Sequence, residues 1–287
     1  MIPIYVTMKI KMNGIPCMRF FHVFFLHRHR NTTMSETETS PKHLFIAVPA
    51  YGCKVHTQFA TSLMKLQSSM LQKGIRMSTE IMGNESLITR GRSILVEKFL
   101  RSNATHFLFI DSDIVFHEST VLRLLESGHD IVCGPYAKKG INYHDIMKLT
   151  DPTPQKLKAH AIGYNINFLQ RPEHPIENGF MEVMEAATGM MLITRRVLET
   201  LREQHPEKMV KNDIPASRDT IEEYCLLFDT SICHDTKRFL SEDYAFCALA
   251  RRAGFRVMID CLSKLGHMGN VTRYCSLKDR RDVQIRA

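Results

Sequence analysis

Four short apolar runs, Leu44 to Val48, Met77 to Met82, Phe107 to Ile110 and Ile131 to Cys133, alternate along the first half of the chain with segments of helical apolar spacing. The runs are of strand length, and breakers close two of them: Pro49 the first, Gly134-Pro135 the last. Between them, Thr57 to Leu71 sets Phe59, Leu63, Leu66 and Met70 near one helical face before Gly74. Leu87 to Leu100 turns Ile94, Leu95, Phe99 and Leu100 inward, and Thr120 to Glu126 runs up to a stop at Gly128. Strands alternating with helices make an α/β fold with a parallel sheet the simplest expectation. After Pro135 the pattern changes. Lys138 to Leu169 is mixed and polar, Lys148 to Glu177 follows no assignable pattern, and Phe180 to Thr194, broken at Gly189, reads as strands and a turn. Helices are expected again from Arg195 to Gln204 and from Ser241 to Arg252, with Gly254 ending the second.

At 287 residues and 44% apolar the chain can bury one large core, so a single domain in two unequal halves is expected over 41–275. An extension at 1–40, expected to be disordered, would precede it, and a charged tail at 276–287 would follow. Within the extension Phe20 to Leu26 is too short to cross a bilayer, which needs about 20 residues. Phe20, Phe21, Phe24 and Phe25 beside His-Arg-His-Arg30 are instead suited to a peripheral membrane contact. The eight cysteines form no CxxC pair, and several sit within apolar patterns as small hydrophobes. Without a secretory signal, this points to a reducing, cytoplasmic setting, peripheral to a membrane if the extension makes its contact. Net charge is +8, which favours anionic partners. Nucleic acid is not expected, because no basic stripe with interleaved aromatics and no nucleic-acid-binding motif is present.

Asp111-Ser112-Asp113 stands at the end of the third apolar run. Ligands of open α/β sheets bind outside the carboxyl ends of the strands. In an extended segment residues two apart share a side, so Asp111 and Asp113 are expected to converge while Ser112 turns away. Hard oxygen ligands with open positions suit Mg²⁺ or Mn²⁺ bridging a diphosphate. Ser241-Glu242-Asp243 opens the last long helix, with Ser241 as its N-cap and the acids favoured by the helix dipole. The same place would present a carboxylate to a hydroxyl, as a general base must. His267 lies between Gly266 and Gly269, where a neutral imidazole is a candidate third metal ligand. Arg90 with Arg92, and Lys138 with Lys139, are either diphosphate-neutralising pairs or solvated charge. Tyr51, just past the first strand, is either a stacking partner for a base or a surface aromatic.

The ordered set Phe107-Leu-Phe-Ile-Asp111-Ser-Asp113, Ala187-Thr-Gly189-Met-Met191, Ser241-Glu-Asp243-Tyr244 and Gly266-His267-Met-Gly269 resembles the nucleotide-sugar glycosyltransferases of the GT-A type. It matches their DxD motif, glycine loop, acidic xED motif and C-terminal histidine, in order. The resemblance covers about His43 to Arg273. It implies a Rossmann-type, mainly parallel sheet flanked by helices, with a smaller mixed acceptor-side region. It further implies a metal-dependent transfer from a nucleoside-diphosphate sugar, UDP-linked favoured, to a hydroxyl of a glycan or glycoconjugate. By that resemblance Asp111, Asp113 and His267 would hold Mn²⁺ or Mg²⁺. Tyr51, Arg90, Arg92, Asp111, Ser112, Lys138 and Gly189 would line the donor and acceptor subsites, and Asp243, with Glu242 second, would be the base if the reaction inverts the anomeric centre.

Two other readings compete. A sugar-phosphate nucleotidylyltransferase would need a glycine-rich loop after the first strand, and Pro49-Ala-Tyr51-Gly52-Cys53 is poor in glycine. A non-catalytic carbohydrate-binding or protein-binding module would leave the acids as solvated or capping groups.

Overall fold

A computed structural model describes residues 11–12, 15–16, 42–213, 221–269 and 273–275. The chain divides into two compact units, 1–40 and 41–287. In the first, Lys11–Met12 pairs antiparallel with Ile15–Pro16. Phe20, Phe21, Phe24, Phe25 and the tail 276–287 lie outside the described residues. No described helix is long and apolar enough to cross a membrane.

The second unit is built on an eight-stranded sheet. Its strands are β1 (His43–Ala50), β2 (Arg76–Gly83), β3 (His106–Ile110), β5 (Ile131–Cys133), β6 (Ile176–Glu177), β7 (Phe180–Val183), β8 (Met190–Thr194) and β9 (Val257–Asp260), with β4 (Ile114–Val115) outside it. The order is β2-β1-β3-β8-β5-β9-β7-β6. Neighbours β1–β2, β1–β3 and β5–β9 are parallel, and the other described pairs are antiparallel. The expected mainly parallel sheet is therefore a mixed one. The change comes from β8, which inserts between β3 and β5 and runs against both, and from β7, which runs against β9 and β6.

Period-two alternation divides the strands between two cores. Phe45, Ala47, Phe107, Phe109, Met191 and Ile193 face one side, which is covered by α2 (Ile88–Leu100), α6 (Arg195–Gln204) and α7 (Glu242–Arg252). Leu44, Ile46, Leu108, Ile110, Met190 and Leu192 face the other, covered by α1 (Thr57–Gln72) and α3 (Glu118–Glu126). The helices lie where the periodicity put them: Phe59, Leu66 and Met70 of α1 are fully buried, and Leu63 is partly so. Gly128 and Gly254 follow α3 and α7 with positive φ, which an L side chain resists.

The mixed polar segment from Lys138 to Leu169 holds two short helices, α4 (Tyr143–Met147) and, within the patternless stretch, α5 (Pro154–His160). Both carry side-chain caps: Asn142 accepts from the Asp145 N–H, and Thr153 from the Lys156 N–H, with Pro154 at the first turn. Finally, β10 (Leu265–His267) pairs antiparallel with β4, setting His267 opposite Ile114 and Gly266 opposite Val115.

Candidate functional site

Strand geometry ends at Ile110. The Asp111 N–H donates to the Gly189 carbonyl at 3.0 Å, and the Ile114 N–H closes back on the Asp111 carbonyl at 3.0 Å. Residues 111–114 thus form a turn, and the alternation that would have aimed Asp111 and Asp113 together does not reach them. The two carboxylates take different partners.

Asp113 meets His267 and Lys139. Its Oδ2 lies 3.4 Å from His267 Nε2 and 2.6 Å from Lys139 Nζ. Pairing of β4 with β10 delivers His267, and the Met268 N–H donates to the Asp113 carbonyl at 2.8 Å. The other imidazole nitrogen, Nδ1, is 2.7 Å from the Ala137 carbonyl. Burial alone would raise the Asp113 carboxyl, but hydrogen bonds from His267 and Lys139 outweigh it and hold the group down at about 2.

Asp111 meets Arg92. The guanidinium projects from α2 to the carboxyl end of β3, 4% exposed, with Nη2 3.1 Å from Asp111 Oδ1 and Nε 3.3 Å from Glu242 Oε1. Its Cζ is 4.9 Å from the centre of the Phe109 ring. Burial disfavours its charge, yet the two carboxylates more than compensate and raise its proton affinity. Arg92 Nη1 is buried without a hydrogen-bond partner. One cation therefore ties the end of β3 to the start of α7.

At that start Ser241 holds the N-cap position, but its hydroxyl donates to the Asp243 carboxylate instead of capping the helix. Asp243 Oδ1 also accepts from the Tyr244 N–H at 2.8 Å. Burial raises the Asp243 carboxyl above the usual aspartate range, with Glu242 adding to the rise against the pull of Ser241 and Arg92.

Gly189 sits behind the Asp111 turn, where a Cβ would overlap the Tyr136 Cζ and Oη. Tyr136 in turn meets the His267 ring edge-on at 5.1 Å, and burial pushes its phenol well above the ordinary value, keeping it neutral. Arg90 points away, gripping Glu85 with both Nε and Nη2 at 2.8 Å. Tyr51 is exposed on the turn after β1, and Ser112 gives its carbonyl to the His56 N–H. Lys138 is exposed, while its neighbour Lys139 reaches the carboxylate. Tyr136 and the distinct place of Lys139 went unread in the sequence. Both depend on how the loop after β5 folds back.

Among the described residues no group of three or more His, Cys, Asp or Glu side chains is placed to hold a metal ion. The expected trio is not assembled, because Arg92 takes Asp111. The pair Asp113 and His267 still fits an ion. With Nδ1 on the Ala137 carbonyl, Nε2 faces the carboxylate oxygen, and either its own proton or a cation can lie between the two atoms. The 3.4 Å gap lets one ion touch both atoms at about 2.1 Å. Magnesium-type ions commonly use one or two protein ligands and take the rest from water and substrate phosphates.

No protein-family profile and no curated protein sequence matches the chain. Solved structures do show distant likeness. A197 from STIV is 18% identical with a TM-score of 0.45, over 83% of this chain and 91% of that one. The inositol-1-phosphate CTP transferase from T. maritima is 10% identical with a TM-score of 0.36, over 86% and 93%. A glycosyltransferase involved in glycosylation of the major capsid of PBCV-1 is 10% identical with a TM-score of 0.29, over 63% and 72%.

Proposed function

We propose that this chain transfers a glycosyl group from a nucleoside-diphosphate sugar, UDP-linked by preference, to a hydroxyl of a glycan or glycoconjugate, with Mn²⁺ or Mg²⁺. The observation that carries the reading is the buried Arg92, which binds Asp111 of one pair of acids and Glu242 of the other. On one side the turn at 111–114 bears Asp113, paired with His267. On the other α7 presents Asp243, whose proton affinity is raised by burial. An anion-binding half and a proton-accepting half, joined by one buried cation, suit the departure of a diphosphate and the deprotonation of an attacking hydroxyl.

In this reading Asp113 and His267 hold the divalent ion. When bound, that ion supplies Lewis-acid stabilisation of charge on the leaving diphosphate. Lys139, with its side chain half exposed and 2.6 Å from Asp113, is close enough to share that charge. Asp243 takes the acceptor hydroxyl's proton. Glu242, committed to Arg92, holds the guanidinium in place and is the weaker candidate for base. Gly189 lets the Asp111 turn pack on Tyr136. Tyr51 has the exposure needed to stack on a nucleobase.

A panel of nucleotide sugars with Mn²⁺, run with EDTA controls and read as nucleoside diphosphate release, tests the reaction class and the donor together. Release with at least one donor, abolished by EDTA, is expected. Pyrophosphate formed from a sugar 1-phosphate and a nucleoside triphosphate would sink the proposal in favour of nucleotidylyl transfer.

A further inference from the structure

Lys139 occupies a position that a metal ligand set does not explain. Its ammonium lies 2.6 Å from Asp113 Oδ2, the same oxygen that faces His267 Nε2. An ammonium and a divalent cation on that one oxygen repel each other across a few ångströms, so the two compete for it. The lysine is also poised to leave. Its side chain is 51% exposed, and ion pairs with so exposed a partner are weak. The stem runs beside Gly269, where a Cβ would stand 3.3 Å from Lys139 Cδ, so the missing side chain leaves it a track.

We propose that Lys139 is the resident counter-ion of Asp113, giving up the carboxylate to the divalent cation when a nucleoside diphosphate offers its ammonium new oxygens. The inference rests on the reading of Asp113 and His267 as metal ligands. Before the nucleotide arrives, Lys139 satisfies Asp113 and competes with the ion. Once the nucleotide is present, the freed ammonium pairs with diphosphate and favours the complex. Binding of the ion thereby becomes dependent on the nucleotide. A single substitution should then have opposite effects on the two binding events.

The test uses the full chain as wild type, Lys139→Met and Asp113→Asn. Free Mn²⁺ is followed by electron paramagnetic resonance without nucleotide, and UDP binding by calorimetry at saturating Mn²⁺. Lys139→Met is expected to bind Mn²⁺ alone about tenfold more tightly than wild type, equal to ~1.4 kcal/mol. It should bind UDP in the presence of Mn²⁺ about tenfold more weakly, and Asp113→Asn should lose the Mn²⁺ site in both assays. Lys139→Met binding Mn²⁺ no more tightly than wild type, while wild type binds Mn²⁺ together with UDP, would overturn the counter-ion role and leave the metal reading standing. No Mn²⁺ binding by any of the proteins, even with UDP, would overturn both.

Discussion

Replacing Arg92 with leucine removes the buried cation that joins the two halves of the site, and its cost can be worked from the contacts. The guanidinium is 4% exposed and answers Asp111 at 3.1 Å and Glu242 at 3.3 Å. Removing one partner of a buried ion pair costs about 3–5 kcal/mol, chiefly through the charge left behind. Here the surviving side chains are 29% and 16% exposed, so both can be partly rehydrated and the lower end applies. The lost contact with the Phe109 ring adds about 0.5–1 kcal/mol, which the apolar leucine partly returns. A loss of about 3 kcal/mol is expected, or roughly 6–12 °C in Tm for a domain of this size. Urea unfolding followed by circular dichroism would measure it. Adding Glu242→Gln to Arg92→Leu should restore part of the loss, with a coupling of at least ~1 kcal/mol between the two sites. Arg92→Lys should recover only a fraction, because an ammonium lacks the fork that spans two carboxylates. A loss below ~1 kcal/mol, or strict additivity with Glu242→Gln, would refute the bridging role.

The other predictions concern single groups. Asp113 is held down at about 2, so its contribution is present above the ordinary aspartate range and is lost as pH falls through about 2. The stability difference between wild type and Asp113→Asn should thus shrink by ~2 kcal/mol between pH 5 and pH 2, and a constant difference across that range would contradict the ion pairing. Asp243 shifts the opposite way: burial favours its protonated form, so that stability is present at low pH and lost as pH rises through the raised value. Asp243→Asn should therefore gain stability at pH 7 relative to wild type while turnover falls by roughly 10²–10⁴-fold with donor affinity kept. Full turnover in that variant would remove Asp243 as the base. Gly189→Ala forces Tyr136 to move and should cost about 1–3 kcal/mol, partly recovered by Tyr136→Leu. Equal losses with and without that second change would show that the strain lies elsewhere.

Much of the scaffold was written in local periodicity, and the failures have physical causes. The α1 face of Phe59, Leu66 and Met70 and the bounds of α6 are set by neighbouring residues, so they could be read directly. The seat of β8 could not. Whether Met190–Thr194 adds at an edge or divides β3 from β5 is decided by partners far away in the chain. The caps of α4 and α5, in contrast, were visible as Asn142 and as Thr153 before Pro154, but the polar composition around them hid the signal.

In the site, helical phase already separated the two arginines. Arg92 shares a face with Leu95, Val96 and Phe99, three, four and seven residues on, all part of the buried cluster under the sheet, whereas Arg90 lies about 160° away around the helix and finds Glu85. The carboxylates failed that kind of reasoning. Period two holds only while a strand is paired on its ladder, and the bond from the Ile114 N–H to the Asp111 carbonyl ends the ladder one residue too soon. Asp113 is placed instead by the register that sets Ile114 opposite His267. An acid-X-acid pattern past a strand end therefore describes a turn whose two carboxylates are separately addressed, one to the buried arginine of α2 and the other to the histidine of β10. The two carboxylates also differ in the competitor each would present to a cation: Arg92 is buried on Asp111, while Lys139 on Asp113 is half exposed, and the proposed metal role falls to Asp113 for that reason.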